Sequence, residues 1–420
     1  MAQRPQVDPI ASLREPNYLL FLVGSLLSNT GNQMRSVAVG WEVYHRTREP
    51  ISLGYVGLVL ALPVIFFAIP AGALADRYSR KWLIMIAQGG LALSGLGLAW
   101  ASWAHASLVW IYFFLFCTAT CRALGWPAST AIVVGLVPTK LFPNATMWRS
   151  VGFQLAATVG PLLGGFLLAW SDAVTVYVLD AISSVILISC LAFVKPKAQE
   201  RVAEPHSWRH LMQGLQYLRR HPVILSTMVL DMVAVLFGGV TALLPIYASD
   251  VLNVGATGFG WLRAMPSIGA IAMSLFLATR PPIQRAGKSL LLAVVAFGVA
   301  TIVFGFSKSY PLSLAMLFLL GAADNISVVI RSTVLQLMTP DSMRGRVSAV
   351  GIIFIGTSNE IGEFESGVAA QWIGLLPAVV GGGFMTLLTV AVVARAWPEL
   401  VRLGSLEHLE PPEQVEQVVG

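Results

Sequence analysis

Charge is scarce in this sequence. Only 11% of its 420 residues are Asp, Glu, Lys or Arg, against 56% apolar residues and a mean hydropathy of +0.73. A soluble domain commonly carries about 25% charged residues, so a water-soluble enzyme or binding module is excluded. Cysteine is nearly absent too: Cys117, Cys121 and Cys190 all fall inside apolar runs, which leaves no disulfide framework and no thiolate metal ladder. His206 and His210 stand four residues apart with no third ligand nearby, so a solvated helix face accounts for them and no metal is expected. The phosphate-loop pattern G-x-x-x-x-G-K-[ST], the HExxH helix and the serine-centred Gly elbow are all missing. The chain is therefore not expected to be an enzyme, to hydrolyse ATP or to hold a cofactor. Its net charge of +6 comes from short clusters between apolar runs, without the basic patch and interleaved aromatics of a nucleic-acid binder.

Long apolar runs are what the sequence has in abundance. Crossing about 30 Å of hydrocarbon takes roughly 20 residues of helix, and runs of that order lie near 17–42, 54–75, 82–104, 107–131, 147–170 and 174–194. A second set lies near 222–248, 257–279, 287–307, 311–333, 347–372 and 376–396. Lipid cannot satisfy free backbone groups, so these runs must be helices. The fold class expected is an all-α membrane protein with twelve transmembrane helices in two six-helix halves, 17–194 and 222–396. Residues 1–16 carry both charge signs and no apolar core before a cleavage site, so no removable signal segment is expected. Between the halves, 195–221 forms a polar linker in which Trp208, Leu211, Met212, Leu215 and Leu218 recur at helical spacing, the pattern of an amphipathic helix on the membrane face. Residues 397–420 form a tail bearing Glu407, Glu410, Glu413 and Glu416. With both termini inside, 20 of the 27 Lys and Arg residues fall on the cytoplasmic side, three fall outside and four lie within spans. The positive-inside rule then sets both ends in the cytoplasm.

The halves echo each other. Gly57-Leu-Val-Leu-Ala-Leu-Pro63 aligns with Gly260-Trp-Leu-Arg-Ala-Met-Pro266 at an offset of 203, and Val137-Pro138 with Thr339-Pro340 at 202. Val151-Gly152 pairs with Val350-Gly351 at 199. An internal repeat of two six-helix halves is the build of a carrier that alternates access to a site near the bilayer midplane.

Between the second and third spans stands Gly72-Ala-Leu-Ala-Asp76-Arg77-Tyr-Ser-Arg80-Lys81. It resembles the loop motif of the major facilitator superfamily, with Ser79 in place of the usual Gly. The resemblance implies a gate in which Gly72 admits a neighbouring helix and Asp76 meets the N-terminus of the eleventh. The corresponding loop of the second half, Arg280 to Lys288, keeps its basic charge without the aspartate. In the fifth span Gly160-Pro161-Leu-Leu-Gly164-Gly165 is similar to the superfamily's antiporter motif, with Ala156 at its leading position. Longer phrases, Gly31 to Trp41, Asp324 to Arg331, Pro340 to Val347 and Gly362 to Gly367, resemble the branch containing bacterial enterobactin exporters and drug efflux carriers.

Ionisable residues inside spans are costly, face inward and are commonly functional. Here they are Arg35, Arg122, Asp180, Asp231, Arg263, Asp324, Arg331, Glu360, Glu363 and Glu365. Asp231 is the first choice for proton coupling and the eleventh-span acids the second, while Asp180 reads as structural. Arg122 and Asp324 occupy repeat-equivalent positions. Asp324 and Arg331, seven residues apart, are about 10.5 Å apart along the helix and too far for a direct bridge. Asn29, Asn32, Gln33 and Arg35 are candidates to line the substrate cavity. The expected function is export of a small organic molecule, siderophore or drug-like, by proton antiport, with the proton gradient as energy source. The expected setting is a monomer in the lipid bilayer of the bacterial inner membrane. An importer or lipid flippase on the same fold, and a non-transporting receptor or assembly factor, are the alternatives.

Overall fold

The computed structural model describes residues 8–196 and 208–406, and among them it contains helices and no strand. His206 and the tail acids lie outside the described residues, as do the side chains of Asp76 and His210. The helices of the first half are α1 (Pro16–Thr47), α2 (Pro50–Arg77), α3 (Arg80–Trp103), α4 (Leu108–Ala131), α5 (Phe142–Trp170) and α6 (Ala173–Phe193). The linker helix α7 (Trp208–Arg220) leads to α8 (Pro222–Gly238) and the short α9 (Leu244–Ile246). There follow α10 (Gly255–Ala278), α11 (Ala286–Phe306), α12 (Tyr310–Met338), α13 (Asp341–Ile373), α14 (Leu375–Ala396) and the short α15 (Pro398–Val401).

Among the described residues, ten helical segments are long and apolar enough to cross a membrane. The remaining two long helices are α1, with 32 residues, and α13, with 33. Both are long enough to span, and both are diluted by polar residues: Asn29, Asn32, Gln33 and Arg35 on α1, Asn359, Glu360, Glu363 and Glu365 on α13. The two helices least suited to lipid by composition thus carry many of the candidate site residues.

The chain divides into two compact units, and each takes in a short piece of the other sequence half. The first unit comprises residues 1–46, 62–206 and 255–264; the second comprises 47–61, 207–254 and 265–420. The exchanged pieces are the start of α2 and the start of α10, the stretches that the Gly57/Gly260 repeat aligns. Within the first unit α3 packs on α4 and α6; within the second, α11 packs on α12 and α14, the repeat-equivalent trio.

The basic cluster after α2 is used for helix capping. Lys81 Nζ donates to the carbonyls of Ala192 and Val194 at 3.0 and 2.9 Å, and Arg80 donates to Ala131 O at 3.0 Å. A cation at the last, unpaired carbonyls of a helix satisfies both the acceptors and the helix dipole. Arg80 and Lys81 therefore tie the start of α3 to the ends of α4 and α6.

The linker helix packs part of its apolar stripe against the second unit. Tyr217 and Leu218 are buried in the core of the second unit, together with Val347 and Val350 of α13. Tyr217 donates to Met338 O at 2.8 Å, His221 stacks on its ring at 3.8 Å, and burial pushes the phenol above its ordinary pKa, which keeps it a donor. A small residue at the middle of the stripe allows the close packing. A Cβ on Gly214 would stand 2.7 Å from Arg346 O, so a helix face that lipid would otherwise cover is in backbone contact with α13. Met212, Arg219 and Arg220 stay exposed on the other side. Gly214→Leu is expected to lift α7 off α13, lowering stability by about 1–3 kcal/mol as overpacking does. Accelerated protease cleavage across 207–220 in the full-length protein would report the release.

Candidate functional site

Helix α1 divides its polar residues between two faces. Arg35 points into the first unit, where it is 4% exposed and its Nη1 lies 2.5 Å from Asp180 Oδ2 on α6, itself 1% exposed. Arg35 also donates to Asn32. Arg35, expected from sequence to line the substrate cavity, is here neutralised inside the helix packing of the first unit. One turn and more along, Tyr177 donates to Glu42 at 2.7 Å, Glu42 pairs with Arg46 at 2.5 Å, and Arg46 donates to Ala106 O at 2.9 Å. This ladder of charges between α1, α6 and the end of α3 has no counterpart among the candidates read from sequence. Glu42 was legible only as an acid near a span end, and its partner Tyr177 only as an aromatic. Asn29, Asn32 and Gln33 are half-buried, and Ser36 on the same side accepts from Arg263 of α10 at 3.2 Å.

In the second unit Asp231 of α8 pairs with Arg331 of α12, and both are buried. Arg331 thus finds its counter-charge on another helix and not in Asp324 on its own. Asp324 is half-buried on α12, and among the described residues it has no ion pair or side-chain hydrogen bond. Its neighbour Asn325 accepts from Ser274 of α10 at 3.1 Å. Arg122, half-buried on α4, belongs to the first unit.

The antiporter-like run on α5 has a packing role at each glycine. Added Cβ atoms would meet Gln33 Cβ at 2.5 Å from Gly160 and the Met34 backbone at 3.0 Å from Gly164, so these two seat α5 on α1. Gly165 faces the other way, its Cβ position 2.7 Å from the Cα of Gly260 on α10, while a Cβ on Gly260 would be 2.6 Å from Pro161 O. Trp41 stacks on Phe259 at 5.8 Å beside this crossing.

A second seam of the same kind occurs in the other unit. A Cβ on Gly367 of α13 would lie 2.6 Å from Gly54 of α2, and one on Gly57 would lie 2.7 Å from both Glu360 O and Glu363 Cβ. Tyr55 and Phe364 face each other at 6.4 Å, and Arg48 pairs with Asp250 at 3.1 Å. Gly57 and Gly260 are aligned by the repeat, and Gly165 and Gly367 are related by nearly the same spacing, 202. The two seams are repeat-related, and each joins a helix of the first sequence half to one of the second. Glu360 and Glu363 therefore sit at a helix crossing, and Glu365 is half-buried elsewhere on α13. In the gate motif Gly72 is half-buried and Arg77 exposed over the Tyr78 ring at 5.8 Å.

An all-helical membrane protein with two repeat-related sets of six long helices, buried interhelical ion pairs and glycine seams is a membrane carrier of major facilitator type. The chain belongs to the transmembrane secretion effector family of that superfamily, whose model matches residues 7–418. It is 24% identical to the enterobactin exporter EntS of Escherichia coli (strain K12) over 402 residues, 95% of each chain. The namesake in Shigella boydii serotype 18 is 24% identical over 388 residues, 92% of this chain and 93% of that one. Among solved structures, the fold matches the nucleoside transporter NupG with a TM-score of 0.68 at 16% identity, covering 92% of this chain and 99% of the other. It also matches a bacterial homologue of the lysosomal transporter Spinster in an inward-facing, occupied conformation, with a TM-score of 0.69 at 16% identity, 95% of this chain and 99% of that one. The chain is a multi-pass transporter of the bacterial inner membrane, and its relatives are transporters.

Two outcomes are expected. Arg35→Ala leaves Asp180 without a counter-charge and lowers stability by about 3–5 kcal/mol, whereas replacing both by leucine recovers most of the loss in a detergent unfolding assay. Gly165→Leu forces α5 and α10 apart at a cost of about 1–3 kcal/mol, while Gly89→Leu, where no atom lies within 4 Å of the added Cβ, leaves the melting temperature unchanged.

Proposed function

We propose that this chain is a secondary active exporter that moves a small organic molecule of siderophore or drug-like chemistry out of the cytoplasm in exchange for protons. The observation that carries the export reading is the match over 95% of both chains to a relative named as an enterobactin exporter. The positive-inside count supports cytoplasmic termini, which makes the Lys81 end of α3 the inner end.

The repeat-related glycine seams support alternating access. At each, glycines let the helix backbones approach closely. The ion pairs hold α1 to α6 and α8 to α12 through the cycle.

Asp324 is the carboxylate that best fits proton coupling. Asp231, the first choice from sequence, already has Arg331 as its counter-charge. Asp324 has no basic partner among the described residues, so a proton is the counter-charge open to it when water withdraws. Asn29, Asn32 and Gln33, on a polar face of α1, supply neutral hydrogen bonds to substrate.

Counterflow in proteoliposomes tests this, with a catecholate siderophore, a macrolide and a lysophospholipid offered in turn. At least one is expected to exchange without ATP and to accumulate under a pH gradient. Asp324→Asn should keep exchange and lose gradient-driven accumulation. Binding with no flux under any gradient would sink the carrier reading in favour of a receptor, and flux in Asp324→Asn that still follows the pH gradient would remove Asp324 from the coupling step.

A further inference from the structure

The first unit bears a groove of about 460 Å³ on its outer surface, formed where α3 and α6 diverge beside α1. Its lining is almost wholly apolar and includes Leu20, Ala92, Leu96, Ile182, Val185 and Phe193. Several of these walls are open to the outside: Leu96 is 50% exposed, Ile182 48% and Phe193 74%. The groove is therefore filled from the lipid phase.

Its length and its one charged end narrow the occupant. From Ala181 to Phe193 the lined stretch of α6 runs about 18 Å at 1.5 Å per residue, close to one leaflet, half of about 30 Å of hydrocarbon. One acyl chain spans a single leaflet, the length of this stretch. At the Phe193 end stand two lysines. Lys195 is exposed, and its backbone N–H is fixed by Asn17 Oδ1 at 3.0 Å, one helical turn from the groove residue Leu20. Lys81 Nζ is held by Ala192 O and Val194 O, on either side of Phe193, which leaves one of its three N–H donors unused. At the opposite end, near Ala92 and Ala181, the charges are Asp180 and Arg35, buried and paired with each other.

We propose that this groove is a binding site for an anionic phospholipid of the inner leaflet, one acyl chain lying along α6 and the phosphate on Lys195 and Lys81. The site is separate from the transport path, and its test does not depend on substrate. A lysine near a lipid surface is worth about fivefold in affinity for anionic over neutral headgroups, so the pair gives a preference of tenfold or more.

Native mass spectrometry of the delipidated, full-length protein, titrated with phosphatidylglycerol or phosphatidylcholine of identical chains, tests the site. The wild type is expected to retain one phosphatidylglycerol in preference to phosphatidylcholine. Lys195→Glu should lower that preference severalfold while the protein remains folded. Ser189→Trp, whose indole fills the groove from its exposed wall, should abolish retention of both lipids. Equal retention of the two lipids by the wild type, or unchanged retention in Ser189→Trp, overturns the proposal. So does a lipid-independent dimer that Ser189→Trp dissociates, since the occupant is then a second copy of this chain. Circular dichroism of each variant guards against misfolding, and Leu96→Trp, a second obstruction from α3, replaces Ser189→Trp if that variant fails to fold.

Discussion

A charge taken out of water must meet an opposite charge or a dense set of dipoles, and this constraint organises both units. Helices in lipid gain nothing from hydrophobic burial against each other, because the alternative neighbour is equally apolar. What distinguishes one arrangement of apolar helices from another is therefore the few polar groups with only one acceptable partner. Arg35 and Asp180 admit one rotation of α1 against α6; Asp231 and Arg331 admit one of α8 against α12. Such pairs add little net stability over a well-packed apolar contact, yet breaking one is costly. They act as register marks.

Glycine does the complementary work. Where Gly165 meets Gly260 and Gly54 meets Gly367, the helices approach until backbones touch. Dispersion over such a contact is favourable but unspecific in direction. Each unit thus combines buried ion pairs with one such seam. The repeat places the two seams on equivalent pairs of helices.

Much of this was legible in the sequence because lipid imposes simple rules. Span length, charge asymmetry and the Gly57/Gly260 alignment gave the helices, the repeat and the two halves. The Gly160 to Gly165 run was visible as a small-residue stripe, but not that Gly160 and Gly164 serve α1 while Gly165 serves α10, because helical phase alone does not say which neighbour lies on which side. The ion pairs were harder still. Arg35 lies 145 residues from Asp180, and Asp231 lies 100 from Arg331. Nothing local links them, so Arg35 read as a candidate for the substrate cavity and Asp231 as the first choice for proton coupling, without their partners. For helix α7 the apolar stripe was legible, but not that Gly214 brings it into backbone contact with α13.

The same reasoning separates structural from working charges without appeal to position in the membrane. A carboxylate whose counter-charge is fixed within its own unit, as for Asp180 and Asp231, has its electrostatic problem solved in place and gains nothing from a mobile ion. Asp324 has no ion pair among the described residues, and on the proposed reading its charged form costs more whenever its surroundings become drier. Coupling requires that dependence on access, because only a group whose charged form is favoured in one state and disfavoured in another can link a proton to a conformational change. On the proposed reading, the buried pairs hold the helices through the cycle and the difference in access is felt at Asp324.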